Sequence, residues 1–312
     1  MRRTFQIIPT AIIMSIIVFL LMHLVPGGPL ARLLGNPKIR PSTIHQLEVN
    51  LHLLLPWPQQ YWLWVDGILH GQFGTSLVTY QPVAQMIAQH LPPTLYLMGT
   101  SLLLTVFFGF GLGVLQAVKK YSVIDYIFTV MAFFGFSLPT FFLGLLMLLV
   151  FAVTFGIFPA GGMVTPGIAF SLGDLLWHLV LPACTLAFVS IAAHSRYMRT
   201  QMLEVMNADY IRTAYAKGLP RFTILVKHAM RNALLPVVTL LALDLANVYA
   251  GAVITESVFA WPGMGTLFIQ SIDQMDYPAI MALVMTSAIL VMVFNFLADL
   301  VYAWIDPRIS YN

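Results

Sequence analysis

The chain has 312 residues, 59% of them hydrophobic and only 9% charged, with a formal net charge of +3. A soluble globular domain carries nearer a quarter charged residues, so this balance excludes that class and points to a polytopic membrane protein. The small basic excess gives no basis for a nucleic-acid partner, and the single Cys184 excludes an intrachain disulfide.

The opening stretch, MRRTFQIIPTAIIMSIIVFLLMHLV, pairs a basic start with an apolar core. VPGGPL follows in place of a small-residue cleavage site, so it reads as a retained signal anchor. Six apolar segments are long enough for a ~30 Å hydrocarbon core, which takes about 20 helical residues. They are Phe5–Val25, Thr94–Val118, Tyr126–Phe155, Leu175–His194, Leu234–Glu256 and Pro278–Trp304. Backbone groups in lipid must be satisfied internally, and a barrel would alternate over segments of about 10 residues; the expectation is therefore an all-α bundle of six transmembrane helices. With the N-terminus inside, 12 of the basic residues fall on the cytoplasmic side, the Lys119–Lys120 turn among them. Only Arg32, Lys38 and Arg40 fall outside, so both termini are expected in the cytoplasm.

Three parts follow from this layout: residues 1–25 as tail and first span, 26–93 as an extracytoplasmic subdomain, and 94–312 as the core with the other spans. In the outer subdomain, rich in Trp and Tyr, Gln59–Leu69 reads as an amphipathic helix and Pro82–His90 as another short one. Pro92 and Pro93 then introduce the second span. In the third span Pro139 sits between Gly135 and Gly144, a kink that serves packing or a gate.

Between spans four and five lies a basic segment, 204–236, that breaks the apolar pattern. Asp209 reads as the N-cap of a helix over Tyr210–Lys217, Gly218 ends it, and Pro220 opens the next. Ile211, Ala214 and Tyr215 form one apolar face; Phe222, Leu225, Val226, Ala229 and Met230 form the face of the second helix. Such a bent, charged knuckle either docks a partner or lies on anionic headgroups. Farther on, Asp244 falls near mid-membrane, with Asn247 and Gly251 on about the same face and Glu256 at the outer end. An intramembrane carboxylate costs at least ~2.5 kcal/mol, so Asp244 either glues helices or lines a polar pathway. No G-x-x-x-x-G-K-[ST], H-E-x-x-H or G-x-S-x-G occurs, so neither nucleotide binding nor hydrolysis is expected on this chain.

The order of these residues resembles, over essentially the full length, the inner-membrane permease subunits of ABC importers for dipeptides and oligopeptides, the peptide/nickel/opine class. The resemblance rests on MRRTFQIIPT with its later PGGP, PWPQQYWLWVDGILHGQFGTS, QPVAQMIAQHLPPTLYL and GFSLPTFFLGLL. It continues through HLVLPACTLA, RYMRTQMLEVMNADYIRTAYAKGL, HAMRNALLPVVT, ESVFAWPGMG, MDYPAI and DPRISY. It implies a type I ABC importer permease fold in the cytoplasmic membrane of a prokaryote. It also implies a cytoplasmic coupling helix that meets the ATPase through Asp209, Tyr210, Arg212, Thr213, Ala214, Lys217 and Gly218. Arg212, Thr213 and Ala214 stand at the core positions of the family's coupling motif, where only Ala214 and Gly218 match the general consensus. A translocation path past Pro139, Asp244, Asn247, Gly251 and Glu256 is the further expectation, although Asp244 and Asn247 stand where the family more often has uncharged or small residues. The implied partners are a second similar permease, two cytoplasmic ATPase subunits, an extracytoplasmic binding protein and the bilayer. Cofactors are expected only on partners, as ATP and magnesium on the ATPases. Nickel chelates or glutathione are alternative cargoes, and an ion-coupled secondary transporter using Asp244 is the alternative from another class.

Overall fold

The computed structural model describes residues 2–24, 28–30 and 40–305, with side chains described at all but positions 2–7, 239, 242, 243, 246, 247, 299 and 302–305. The C-terminal DPRISY and the side chains of Asn247 and Asp299 therefore lie outside the described residues, as do Arg32 and Lys38.

Helices account for the described architecture: α1 Arg2–Leu24, α2 Pro41–Asn50, α3 Trp57–Leu69, α4 Val83–Val118, α5 Val123–Ser137, α6 Thr140–Thr154 and α7 Leu172–Met206. The short α8 Asp209–Ala216 comes next. In α9, Arg221–Thr223 runs through a wide π turn, Ile224–Met230, into Arg231–Leu243. α10 Leu245–Val258, α11 Met264–Asp273 and α12 Tyr277–Ile305 complete the order. Among the described residues Val83–Val118, Leu172–Met206 and Tyr277–Ala298 are each long and apolar enough to cross a membrane, while Ile8–Leu24 and Val248–Val258 are shorter apolar helices.

Two expectations need correcting. Pro82–His90 is no separate helix: α4 starts at Val83 and passes Pro92 and Pro93 without a break. Pro93 keeps its carbonyl occupied by accepting from Trp261 Nε1 at 2.9 Å. The third span, read as a kinked helix, is instead two helices, α5 and α6, bent by 112° and meeting the membrane measure only together. The cause is local. A residue before proline is pushed out of the helical region, and Leu138 sits extended at φ −93°, ψ 127° with Pro139 opening α6.

The chain divides into two compact units. The first comprises Met1–Pro92 with Gly263–Val293. Its core joins Val83, Met86 and Ile87 to Met264, Leu267, Ala279 and Leu283, and a second cluster sets Val18 and Phe19 against Met281 and Met285. Buried Asp276 ties the Thr75–Tyr80 turn to the start of α12: it accepts from the Ser76 hydroxyl and, at 3.0 Å, from the Leu77 amide.

The second unit, Pro93–Pro262 with Phe294–Asn312, is built on α7, against which α4, α5, α6, α9 and α10 all pack. α4 comes closest. A Cβ on Gly113 would lie 2.5 Å from Met198 Cβ and 2.6 Å from the Ser195 carbonyl, and one on Gly109 3.1 Å from His194 Cβ. Glycines four apart let two helix backbones approach this nearly, and dispersion between them supplies the attraction that water cannot supply in lipid.

Candidate functional site

The knuckle is an integral part of the second unit. Ile211 and Ala214 of α8 are buried, and they join Met198 and Met202 of α7, Ala117 of α4 and Ile224, Ala229, Ala233 and Val237 of α9 in one apolar cluster. The expected face of the second helix is wrong in detail. Phe222 is exposed, and the inward residues Ile224 and Ala229 are five apart. A π turn holds more residues than an α turn, so it rotates the face that a 3.6-residue period assigns.

Asp209 is not the N-cap. Ala208 occupies that position without a side-chain bond, and Asp209 is the first helical residue, its carboxylate favourably placed in the first turn. The helix closes as expected at Gly218, with φ +72°. Leu219 N donates to the Ala214 carbonyl at 3.3 Å and Gly218 N to that of Tyr215 at 2.9 Å, an end that requires the left-handed conformation. The outer face is left to solvent. Asp209 and Arg212 are 95% and 75% exposed in their side chains and meet each other at 3.4 Å. Thr213, Lys217 and Gly218 are exposed beside them, and Tyr210 is exposed with its hydroxyl accepting from Asn232 at 3.4 Å. The surface is charged and aromatic, on a rigid apolar base.

Four of the five path residues have described side chains, and each of these has its own setting. Pro139 marks the bend between α5 and α6. Asp244 sits where α9 gives way to α10, its carboxylate 3.6 Å from Nε2 of buried His194, whose Nδ1 donates to the Ser190 carbonyl at 2.8 Å. Gly251 meets Leu186 of α7, 3.0 Å from where its Cβ would stand. Glu256 is fully buried and accepts from Thr94 at 2.6 Å. It opens a turn in which Trp261 N returns to its carbonyl at 2.8 Å and Phe259 O receives Gly162 N. Among the described residues no group of three or more His, Cys, Asp or Glu converges as metal ligands.

Two pairings escaped the sequence reading. Arg199 grips Asp125 through Nε and Nη2, both at 2.8 Å, with Asp125 2% exposed. The second is His194 against Asp244. A signal existed for Asp125: Ser122 stands three residues before it, and Ser122 Oγ caps the Asp125 amide at 3.3 Å. Nothing local signals Arg199 or His194, because each partner lies on a distant helix.

Comparison with known proteins agrees with this architecture. The family described as the inner membrane component of binding-protein-dependent transport systems matches residues 109–311, and the N-terminal family of the same membrane components matches 1–98. The oligopeptide transport system permease protein AppB of Bacillus subtilis (strain 168) is 43% identical over 311 residues, covering 99% of this chain and 98% of that protein. The glutathione transport system permease protein GsiC of Salmonella typhimurium (strain LT2) is 36% identical over 312 residues, covering 100% and 98%. Among solved structures, a chain of the MetNI methionine ABC transporter in an inward-facing conformation aligns with TM-score 0.56 at 18% identity, covering 71% of this chain and 97% of that one. A chain from an amino acid ABC transporter with histidines gives 0.52 at 14%, covering 70% and 94%. With an ABC importer permease fold and matches along its whole length, this chain belongs to the family of inner membrane components of binding-protein-dependent transport systems.

Proposed function

We propose that this protein is one of two similar membrane subunits of an ATP-driven importer of di- and oligopeptides in a prokaryotic cytoplasmic membrane. Six spans place both termini in the cytoplasm, with α1, α4, the α5–α6 pair, α7, α9–α10 and α12 as the crossings. Two ATPase subunits, which carry ATP and magnesium, dock on the face made by Asp209, Tyr210, Arg212, Thr213, Lys217 and Gly218, while Ala214, expected on that face, turns inward to the core. A binding protein delivers cargo from outside to residues 26–93 and the turn after Glu256. The path runs past Pro139, Asp244, Asn247 and Gly251, and Glu256, held by Thr94, stiffens its outer end.

One observation carries the docking role. An interfacial helix lies with its apolar face in the headgroups, but in α8 Ile211 and Ala214 of that face are consumed by the protein's own core, and only Tyr215 of the three is exposed. What remains outside is charged and aromatic, suited to a protein groove. ATP can drive transport only if docking contacts differ between two permease states, and α8 reaches α7 and α9 through that shared core. Peptide cargo is favoured by the likeness to the oligopeptide permease, and glutathione, itself a short peptide, is the second candidate.

The test is cysteine cross-linking of Lys217→Cys in the co-purified assembly, alongside uptake by proteoliposomes. ATP-dependent cross-links to an ATPase subunit, and peptide uptake that stops on ATP depletion, are the expected results. Uptake that survives ATP depletion and collapses with the proton gradient overturns the proposal.

A further inference from the structure

A cavity of about 290 Å³ lies in the second unit between α4, α5 and α7, where the basic Lys119–Lys120 turn joins the first two. Its polar end is formed by Gln116, Thr129, Arg196, Arg199 and Thr200. Gln116 is 1% exposed, and its Oε1 is buried with no hydrogen-bond partner. Its amide nitrogen reaches only the Asp125 carbonyl and Thr129 Oγ1, both at 3.5 Å. Buried carbonyl oxygens are almost always paired, so this one calls for a donor that enters the cavity. The two arginines differ. Arg199 is compensated by Asp125, whereas Arg196 has no carboxylate partner among the described residues and rests over the Phe133 ring at 5.5 Å. Among the described residues the cavity thus holds one uncompensated positive charge and one unmet acceptor.

Its other wall is apolar and leads along a membrane helix. Thr129, Phe133 and Phe136 follow one another on one face of α5, and both phenylalanines are exposed, as are Ile127 and Val130 nearby. We propose that this cavity binds the headgroup of an anionic phospholipid. Arg196 takes the phosphate, Gln116 Oε1 accepts from a glycerol hydroxyl, and an acyl chain lies along Phe133 and Phe136. Charge and surface change together along the cavity, from basic and hydroxyl-bearing to aromatic, which is the polarity of an amphiphile. A soluble anion would gain nothing from the aromatic wall. Basic pockets between membrane helices recognise lipid headgroups by this chemistry.

Native mass spectrometry of the full permease with its co-purified subunits, offered phosphatidylglycerol and phosphatidylethanolamine of matched chains, tests the assignment. Selective retention of phosphatidylglycerol is expected. Arg196→Gln, at an exposed position, should weaken it about fivefold, and Ala132→Phe, which fills the cavity, should weaken it likewise. Millimolar glycerol 3-phosphate should not displace the lipid. Equal retention of both lipids, an unchanged preference in either variant, or displacement by glycerol 3-phosphate alone would each overturn it, the last by revealing a soluble-anion site only.

Discussion

Replacing Gly218 by valine isolates the geometry of the knuckle from its chemistry. Gly218 stands at φ +72°, and a Cβ built on it meets no atom within 4 Å. The substitution therefore brings no clash, and its whole cost is conformational. A left-handed backbone costs an L-residue roughly 1–2 kcal/mol, with a β-branched side chain at the upper end. The chain can escape this strain only by rotating residue 218, which opens the 3.3 Å bond from Leu219 to Ala214 and redirects the chain into α9. A cost of about 1–2 kcal/mol corresponds to a factor of about 5–30 in the population of the native turn. ATPase subunits titrated onto the purified permease should bind weaker by that factor, and ATP-driven uptake in proteoliposomes should fall with it. Insertion and thermal unfolding should change little, because the turn is exposed. Gly218→Asn is the control, since asparagine tolerates the left-handed region and should stay near wild type. Wild-type association and uptake in the valine variant, or equal losses in both variants, would refute the reasoning.

Arg199→Leu should destabilise the protein by about 3 kcal/mol in detergent unfolding, the low end for breaking a buried pair because Arg199 keeps a quarter of its side chain exposed. Adding Asp125→Asn should restore part of that loss, and no restoration would show that the pair does not act as a unit. Gly113→Val should cost about 1–3 kcal/mol or more, because it forces a methine against Met198 and the Ser195 carbonyl. Gly111→Ala, two residues away with nothing within 4 Å, should be neutral or slightly stabilising, and similar losses in both would exclude close packing as the cause. Asp244→Asn should alter uptake across a peptide panel if the residue lines the path, whereas unchanged preference would leave it a structural role, to which the contact with His194 belongs.

Particular residues show how far the sequence could be read. The knuckle was visible because Gly218 and Pro220 are local backbone signals and because seven charged residues interrupt an apolar chain over 204–236. The end of α8 followed directly from them. Its start did not: Asp209 looks like a cap, but whether a side chain turns back to the helix or outward depends on a difference of about 1 kcal/mol. The inward face of α9 was misjudged because periodicity arguments assume one helical pitch, and Ile224–Met230 widens it.

Hydropathy and charge sum residue by residue, so the all-helical membrane class, the exceptional basic segment and a distortion at Pro139 were all determined by the sequence by itself. Only the tertiary structure decided that Pro139 divides the span by 112°, that Arg199 holds Asp125, that Thr94 holds Glu256, and that His194 faces Asp244. The reason lies in sequence separation. Glu256 and Thr94 are 162 positions apart, and Arg199 and Asp125 are 74 apart. Which donor reaches a buried carboxylate is settled by how closely helices pack, and that closeness rests on single missing side chains such as the one at Gly113.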